Sequence, residues 1–250
     1  MVSLSNHSQQ KLRQAQCERK IQTKFHIVLS KVVIMNELHL VEDYGGYAIE
    51  LRRKGSVLLP HNLLFTIQEL ENINVIQSLL SEEKVENGDA GDTHDIYVRR
   101  IMTDKAGELP KQVNRPYSDQ ILEIIYSQRR KAILAFLFGS TTDYIIRRGQ
   151  FNRMVTGAFV GLHLDVDSNP DYEFSVIIQL GRDFEGGEFV VYPDDEDEQV
   201  FSPTYGTVLI TICKFRHEVR KVLRGERCAL VLFYAKNDEI NRREFIPNTN

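Results

Sequence analysis

Residues 151–167 read FNRMVTGAFVGLHLDVD. Val, Phe, Thr and Leu dominate the run, which favours a pleated strand, and residues two apart in a strand project from the same face. His163 and Asp165 therefore set an imidazole and a carboxylate side by side. Alone, the pair carries little weight: with 7 histidines and 35 acidic residues in 250, about one such H-x-[DE] match arises by chance. The competing reading is a surface histidine beside a turn aspartate.

On either side of this run, from Asp143 to Ala235, the chain is nearly all strand. DYIIRR, YEFSVIIQL, GEFVVY, GTVLITICKF, RHEVRKVL and ERCALVLFYA are β-branched or aromatic-rich and are separated by Gly, Pro, Asn or Asp. About seven short strands at this spacing point to a β-sandwich or barrel. On a later strand His217 supplies a third group. Two imidazoles and one carboxylate on one face of an octahedron suit non-haem Fe(II) and leave the opposite face open to substrate and oxygen, whereas zinc is more often satisfied by four ligands. His163, Asp165 and His217 are thus the expected metal ligands and catalytic centre.

Arg227 can be placed by counting. A three-residue hairpin loop, Leu223-Arg224-Gly225, with Gly225 left-handed, pairs Lys221 with Arg227 and puts Arg227 on the face of His217; a two-residue loop turns it away. Its planar fork suits a carboxylate, and the alternative is a structural pair with an acidic side chain. Arg153 shares the odd-numbered register of His163 and is the candidate for binding an acidic group of the substrate, unless Gly157 marks a bulge. Gly186, Gly187 and Glu188 read as a hairpin entering the next strand rather than as ligand contacts.

FNRMVTGAFVGLHLDVD, DFEGGEFVVYP and GTVLITICKFRHEVRKVLRGERCALVLFY together resemble the Fe(II)/2-oxoglutarate-dependent oxygenase superfamily, nearest to its prolyl-4-hydroxylase-like branch, over about residues 143–235. The shared pattern is the H-x-D pair, a distal His and a basic residue ten positions on, here 227 − 217 = 10. The resemblance implies a double-stranded β-helix, a cupin-like jelly-roll barrel backed by N-terminal helices, with Arg227 holding the far carboxylate of 2-oxoglutarate. It implies Fe(II), 2-oxoglutarate and O2 as cofactor and co-substrates, with succinate and CO2 released as a substrate carbon is hydroxylated. Asp165 argues against halogenation, since halogenating relatives lack this carboxylate. Where many relatives carry a tyrosine nine residues before the first ligand, this chain has Met154, which cannot donate a hydrogen bond.

The rest of the sequence bounds the reading. The chain's 250 residues, 42% hydrophobic and 26% charged, suit one globular core. A net charge of −4 argues against nucleic acid as a partner. Cys17, Cys213 and Cys228 are scattered, as in a reducing compartment, and no apolar stretch reaches the roughly 18 residues of a membrane span; the expected location is cytoplasmic. Residues 1–34 read as a polar, loosely ordered extension without a signal peptide, with Met35 a candidate initiator and residues 35–250 a single oxygenase domain. Thr66 to Glu69 has capping-box spacing and predicts a helix ending near Glu83, followed by a mobile loop over 85–93. A second helix is expected from Ser118, its N-cap, to Gly139. DDEDE at Asp194 to Glu198 reads as a solvated hairpin loop.

One domain with helical cover and two polar loops, 83–95 and 103–117, points to a small-molecule substrate such as a free amino acid or natural-product intermediate. The alternatives are hydroxylation of prolyl or other side chains in a protein, and a non-catalytic cupin-like metal-binding module. Oligomeric state is not legible.

Overall fold

The computed structural model describes residues 44–85, 93–141, 143–193 and 197–243. The chain divides into two units, Met1–Gly45 and Gly46–Asn250, and the architecture below is that of the second, whose first helix begins two residues before the division. The expected 34/35 boundary, the extension before it, most of the 85–93 loop and part of the DDEDE run lie outside the described residues.

In chain order the elements are helix α1 (44–54), β1 (Ser56–Leu59), α2 (Ile67–Gln77), β2 (Glu83–Val85), β3 (Thr93–Thr103), β4 (Lys111–Gln112), α3 (Tyr117–Ile125) and α4 (Gln128–Phe138). The strand-rich half follows with β5 (Ile145–His163), a 3-10 turn (Asp165–Asp167), β6 (Phe174–Gln179), β7 (Phe184–Gly186), β8 (Phe189–Tyr192), β9 (Gln199–Phe201), β10 (Val208–Ile212), β11 (Arg216–Val219), β12 (Val222–Gly225) and β13 (Arg227–Ala235).

The helical expectations hold in kind and fail in extent. Thr66 does cap α2, its Oγ1 accepting from the Glu69 amide at 3.2 Å while the Glu69 carboxylate accepts from the Thr66 amide at 2.8 Å. The helix stops at Gln77 rather than near Glu83, because the Ser78 hydroxyl donates back to the Val75 carbonyl at 2.7 Å and Glu83 joins a strand. The expected helix from Ser118 to Gly139 is two helices. Pro116, not Ser118, caps the first. Ser127 caps the second, accepting from the Arg130 amide, and the Arg130 guanidinium donates to Ile124 O at the end of the first. Each helix end thus has its own partner at the break. Gly139 stops α4 in the left-handed conformation, as its sequence position implies.

The β half is a double-stranded β-helix. Its large sheet runs β1-β10-β6-β13-β5-β11-β8-β9, with β3 also on β5 and carrying β2 and β4; β12 and β7 form a separate two-stranded sheet. β5 makes the barrel. Residues 145–154 of it pair with β13, while Val160 and His163 pair with β11. The strand turns between these partners at Gly157, whose φ of +93° suits a residue without a Cβ. One strand thereby carries Met154 to face Arg227 and His163 to face His217. The interior is filled by buried Val98, Ile177, Leu209, Ala229 and Val231 among others, each fully buried aliphatic contributing about 1.5–3 kcal/mol.

The hairpin expected to orient Arg227 does not form. β12 pairs with β7 and β13 with β5 and β6. Gly225 is left-handed, φ +76°, but serves to pass the chain from the small sheet to the large one. The reading of Gly186-Gly187 as a hairpin turn fails likewise, since β7 and β8 lie in different sheets.

Candidate metal centre

His163 closes β5, and Asp165 opens the 3-10 turn that follows. The two therefore converge across a strand end rather than along one strand face. β11 lies against β5 so that His217 is the Cα partner of His163. Asp165 Oδ1 stands 3.6 Å from His163 Nε2 and 3.3 Å from His217 Nε2, and one ligand atom from each residue lies within 4.8 Å of the others. Donors about 2.1 Å from a common ion and at right angles are about 3.0 Å apart, so the three could hold one ion after small adjustments.

Backbone carbonyls set the imidazoles. Nδ1 of His163 lies 2.8 Å from Gly161 O and Nδ1 of His217 lies 3.0 Å from Phe215 O. A carbonyl only accepts, so each Nδ1 carries a proton and each Nε2 is the ring atom turned toward the other ligands, the support that metal-binding histidines need; here the Nε2 atoms share protons with Asp165, which an incoming ion would displace. Phe189 stacks on His217 with ring centroids 5.0 Å apart. Burial alone would raise the Asp165 carboxyl, but the charge and hydrogen bonds of His217 and His163 outweigh it and hold the group well below the carboxylate range. For His217 burial works downward and Asp165 prevails, raising it. Among the described residues the second oxygen of Asp165 is buried without a geometric hydrogen-bond partner, with the Cys213 thiol nearby and raised by burial and by the carboxylate, a setting that a bound cation would satisfy.

Arg227 lines the same cavity of about 70 Å³ as the three candidate ligands, several times what one water needs, about 15 Å³. Arg227 is 2% exposed, and among the described residues its guanidinium has one hydrogen-bond partner, Met154, Nη1 to Sδ at 3.6 Å. Nε and Nη2 have no partner, and burial pushes the group down to about 10. The structural reading, a pair with an acidic side chain, finds no such partner among the described residues. A buried cation with two unused donors fits a carboxylate ligand.

Arg153 is a correction. It faces away from the cavity, bonded to Glu82 at 2.9 and 3.0 Å and to Glu226 at 2.9 Å, and stacks on Tyr97. The reason is a change of parity. Between Val160 and His163 three steps of β5 oppose two of β11, a bulge that reverses facing. Upstream of it the even-numbered Asn152, Met154 and Val160 line the cavity; downstream the odd-numbered His163 does.

Two further contributors escape sequence reasoning. A Cβ on Gly187 would stand 2.8 Å from Arg227 Cδ, and its φ is +69°, so glycine there makes room for the guanidinium. Asn152 lines the cavity; its only sequence signal is the register it shares with Met154.

These features agree with what known proteins show. The model of the 2OG-Fe(II) oxygenase superfamily matches residues 149–235. An oxidoreductase of the 2OG-Fe(II) oxygenase family from Burkholderia pseudomallei is 50% identical, with a TM-score of 0.75 over 80% of this chain and 93% of that one. A PKHD-type hydroxylase of Gloeothece citriformis is 25% identical over 66% of this chain and 74% of its own. A Pseudomonas putida prolyl-4-hydroxylase, 16% identical, shares the fold with a TM-score of 0.56 over 77% of this chain and 98% of its own. The chain belongs to the 2OG-Fe(II) oxygenase superfamily. It is an oxygenase that uses Fe(II), 2-oxoglutarate and O2. Among the described residues no helix is long and apolar enough to cross a membrane.

Proposed function

We propose that this protein hydroxylates an unactivated C–H bond of a small molecule, with a free amino acid as the favoured class. The carrying observation is that one cavity unites His163, Asp165 and His217 with a buried guanidinium at Arg227 that has no acidic partner among the described residues. Bound Fe(II) supplies the activation of O2 that is coupled to oxidative decarboxylation of 2-oxoglutarate. The chain's own residues do the rest. His163 and His217 present Nε2 and Asp165 presents Oδ1 to the ion, and the Gly161 and Phe215 carbonyls hold both imidazoles in the competent tautomer. Arg227 takes the far carboxylate of the co-substrate, and Val160, Ile177 and Val231 give the cavity an apolar wall.

A second cavity of about 950 Å³ supports a small substrate, a size within the range of small-molecule sites, about 300–1,000 Å³. Val98 lines it, and Asn152, the Cα partner of Val98, lines the metal cavity. Arg100, Lys105 and Arg148 share its wall with Glu82, Glu83 and Glu108, and charges of both signs suit a zwitterion. The likeness to a PKHD-type hydroxylase supports hydroxylation as the outcome.

The test is incubation of the protein with Fe(II), 2-oxoglutarate and a panel of amino acids and proline-containing peptides. Succinate release matched to oxidation of a panel amino acid bears the proposal out. Matched oxidation of a peptide with no free amino acid consumed replaces it with the protein side-chain reading.

A further inference from the structure

Successive residues of a strand face opposite sides of their sheet. Near the end of β13, Phe233 lines the metal cavity, whereas Tyr234 lines a separate cavity of about 350 Å³ between the sheet and helices α3 and α4. That size lies within the range of small-molecule sites, about 300–1,000 Å³, and the two cavities share no residue. The inner wall is apolar and aromatic. Phe138 stands edge-on to Tyr144 and Tyr234, with ring centroids 4.9 and 5.7 Å apart, and Ile125 and Leu134 are buried beside them. Rings set edge to face around a slot of this size suit another flat ring.

Polar groups mark both ends of the slot. At the inner end Tyr234 is 4% exposed, and its hydroxyl has no hydrogen-bond partner among the described residues. Burial, and then the nearby Tyr126, push this phenol far above its ordinary range, so it keeps its proton and is a donor. Its neighbours offer no acceptor. The Tyr126 oxygen already accepts from the Ile146 amide at 3.0 Å. Arg130 can only donate, and its nitrogens serve Ile124 O, Leu64 O and Glu69. A buried donor without an acceptor is costly, and a ligand in the slot can supply the acceptor. At the outer end Lys131 and Asp143 are both exposed. Lys131 lies over the Tyr126 ring, 5.1 Å from its centroid, and neither Lys131 nor Asp143 forms an ion pair among the described residues. Opposite charges on one rim suit a carboxylate and an ammonium carried together.

We propose that this slot is a second ligand site, for a free phenolic amino acid of the tyrosine type. The ring lies among Phe138, Tyr144 and Tyr234, its hydroxyl oxygen accepts from the Tyr234 hydroxyl, and its carboxylate and ammonium meet Lys131 and Asp143 at the rim. The site lies on the far side of the sheet from the metal cavity and does not depend on the identity of the substrate hydroxylated there.

Calorimetry and ligand-observed NMR on the full chain test it with L-tyrosine, L-phenylalanine, tyramine and 3-(4-hydroxyphenyl)propionate. L-Tyrosine is expected to bind tightest, by about tenfold over L-phenylalanine, which lacks the buried acceptor. Over the two single-charge analogues the margin is about twofold to fivefold, because the rim contacts are exposed. Tyr234→Phe removes a hydroxyl that bonds nothing in the free protein. Its melting temperature is expected to stay level or rise, while the preference for L-tyrosine over L-phenylalanine is lost. Lys131→Gln is expected to remove the advantage over tyramine, and Asp143→Asn the advantage over 3-(4-hydroxyphenyl)propionate. Binding of L-tyrosine in the metal cavity would be untouched by these three variants, and that result overturns the proposal. Absence of L-tyrosine binding overturns it as well, as does a fall in the melting temperature of Tyr234→Phe, which would show the hydroxyl to be structural.

Discussion

Arg147 and Arg227 lie on adjacent strands, β5 and β13, and are both buried, 0% and 2% exposed, yet their surroundings differ completely. Arg147 meets Asp104 with two hydrogen bonds of 2.9 and 3.1 Å and spends its other donors on Asn237 and the Glu239 carbonyl. Asn169 adds a third bond to the same carboxylate at 2.7 Å. Among the described residues Arg227 has a single weak hydrogen bond to sulfur and two unused nitrogens. Burial works to lower both groups; Asp104 reverses it for Arg147, while Arg227 is pushed down to about 10. The difference separates structure from function. A buried charge that the protein satisfies itself joins segments of chain, here β5 to the stretch after β13, whereas a buried charge left unsatisfied is what the proposed co-substrate site requires.

Four measurements would break or sharpen this contrast. The largest effect is expected at the metal. Asp165→Ala should lower succinate formation by at least about 1,000-fold, beyond the 10–100-fold cost typical of supporting partners, with the circular dichroism spectrum unchanged; collapse of the fold would instead show a structural metal and favour the non-catalytic module. Next, Arg147→Met should cost about 3–5 kcal/mol in chemical denaturation, because it strands a buried Asp104 carboxylate. Arg227→Met tests the other half. It should weaken 2-oxoglutarate binding about 100-fold in calorimetry while leaving apo-protein stability level or up to about 1 kcal/mol higher. A stability loss as large as that of Arg147→Met would erase the distinction. The smallest effect is expected for Gly187→Ala, whose Cβ would press on Arg227 Cδ at 2.8 Å. Displacement of the guanidinium by a few tenths of an ångström should cost about threefold to tenfold in 2-oxoglutarate affinity, a fraction of the strength of a charged hydrogen bond.

The candidate metal ligands were legible as a group because chemistry constrains their type and spacing together, and the structure brings the three side chains together. His163 and Asp165 need only two positions of separation, and His217 with Arg227 ten positions on completes a pattern that chance does not readily supply. The side facing of nearby residues was not legible to the same degree. Counting along β5 from His163 brings Arg153 inward, and the structure turns it out onto Glu82 and Glu226. One extra residue between Val160 and His163 suffices, and a bulge leaves no reliable mark in sequence when its residues are ordinary strand formers. Arg227 shows the reverse case, in which the expected pocket is reached through a hairpin that does not exist. The local turn at Gly225 is real, but strand pairing is a long-range decision, and β5 and β6 outcompete β12 for β13.

Sequence by itself determined the strand-rich half, the caps at Thr66 and Gly139, the candidate trio of metal ligands and the arginine that shares their cavity, since each depends on side-chain chemistry or on backbone preferences a few residues long. Only the tertiary structure decided which other residues share the cavity with that trio. Bulge and sheet partner depend on contacts between segments distant in the chain: Gly187 against Arg227, and β11 against the end of β5. Such contacts are settled by packing and by the demand that buried polar groups find partners, and no local pattern encodes them.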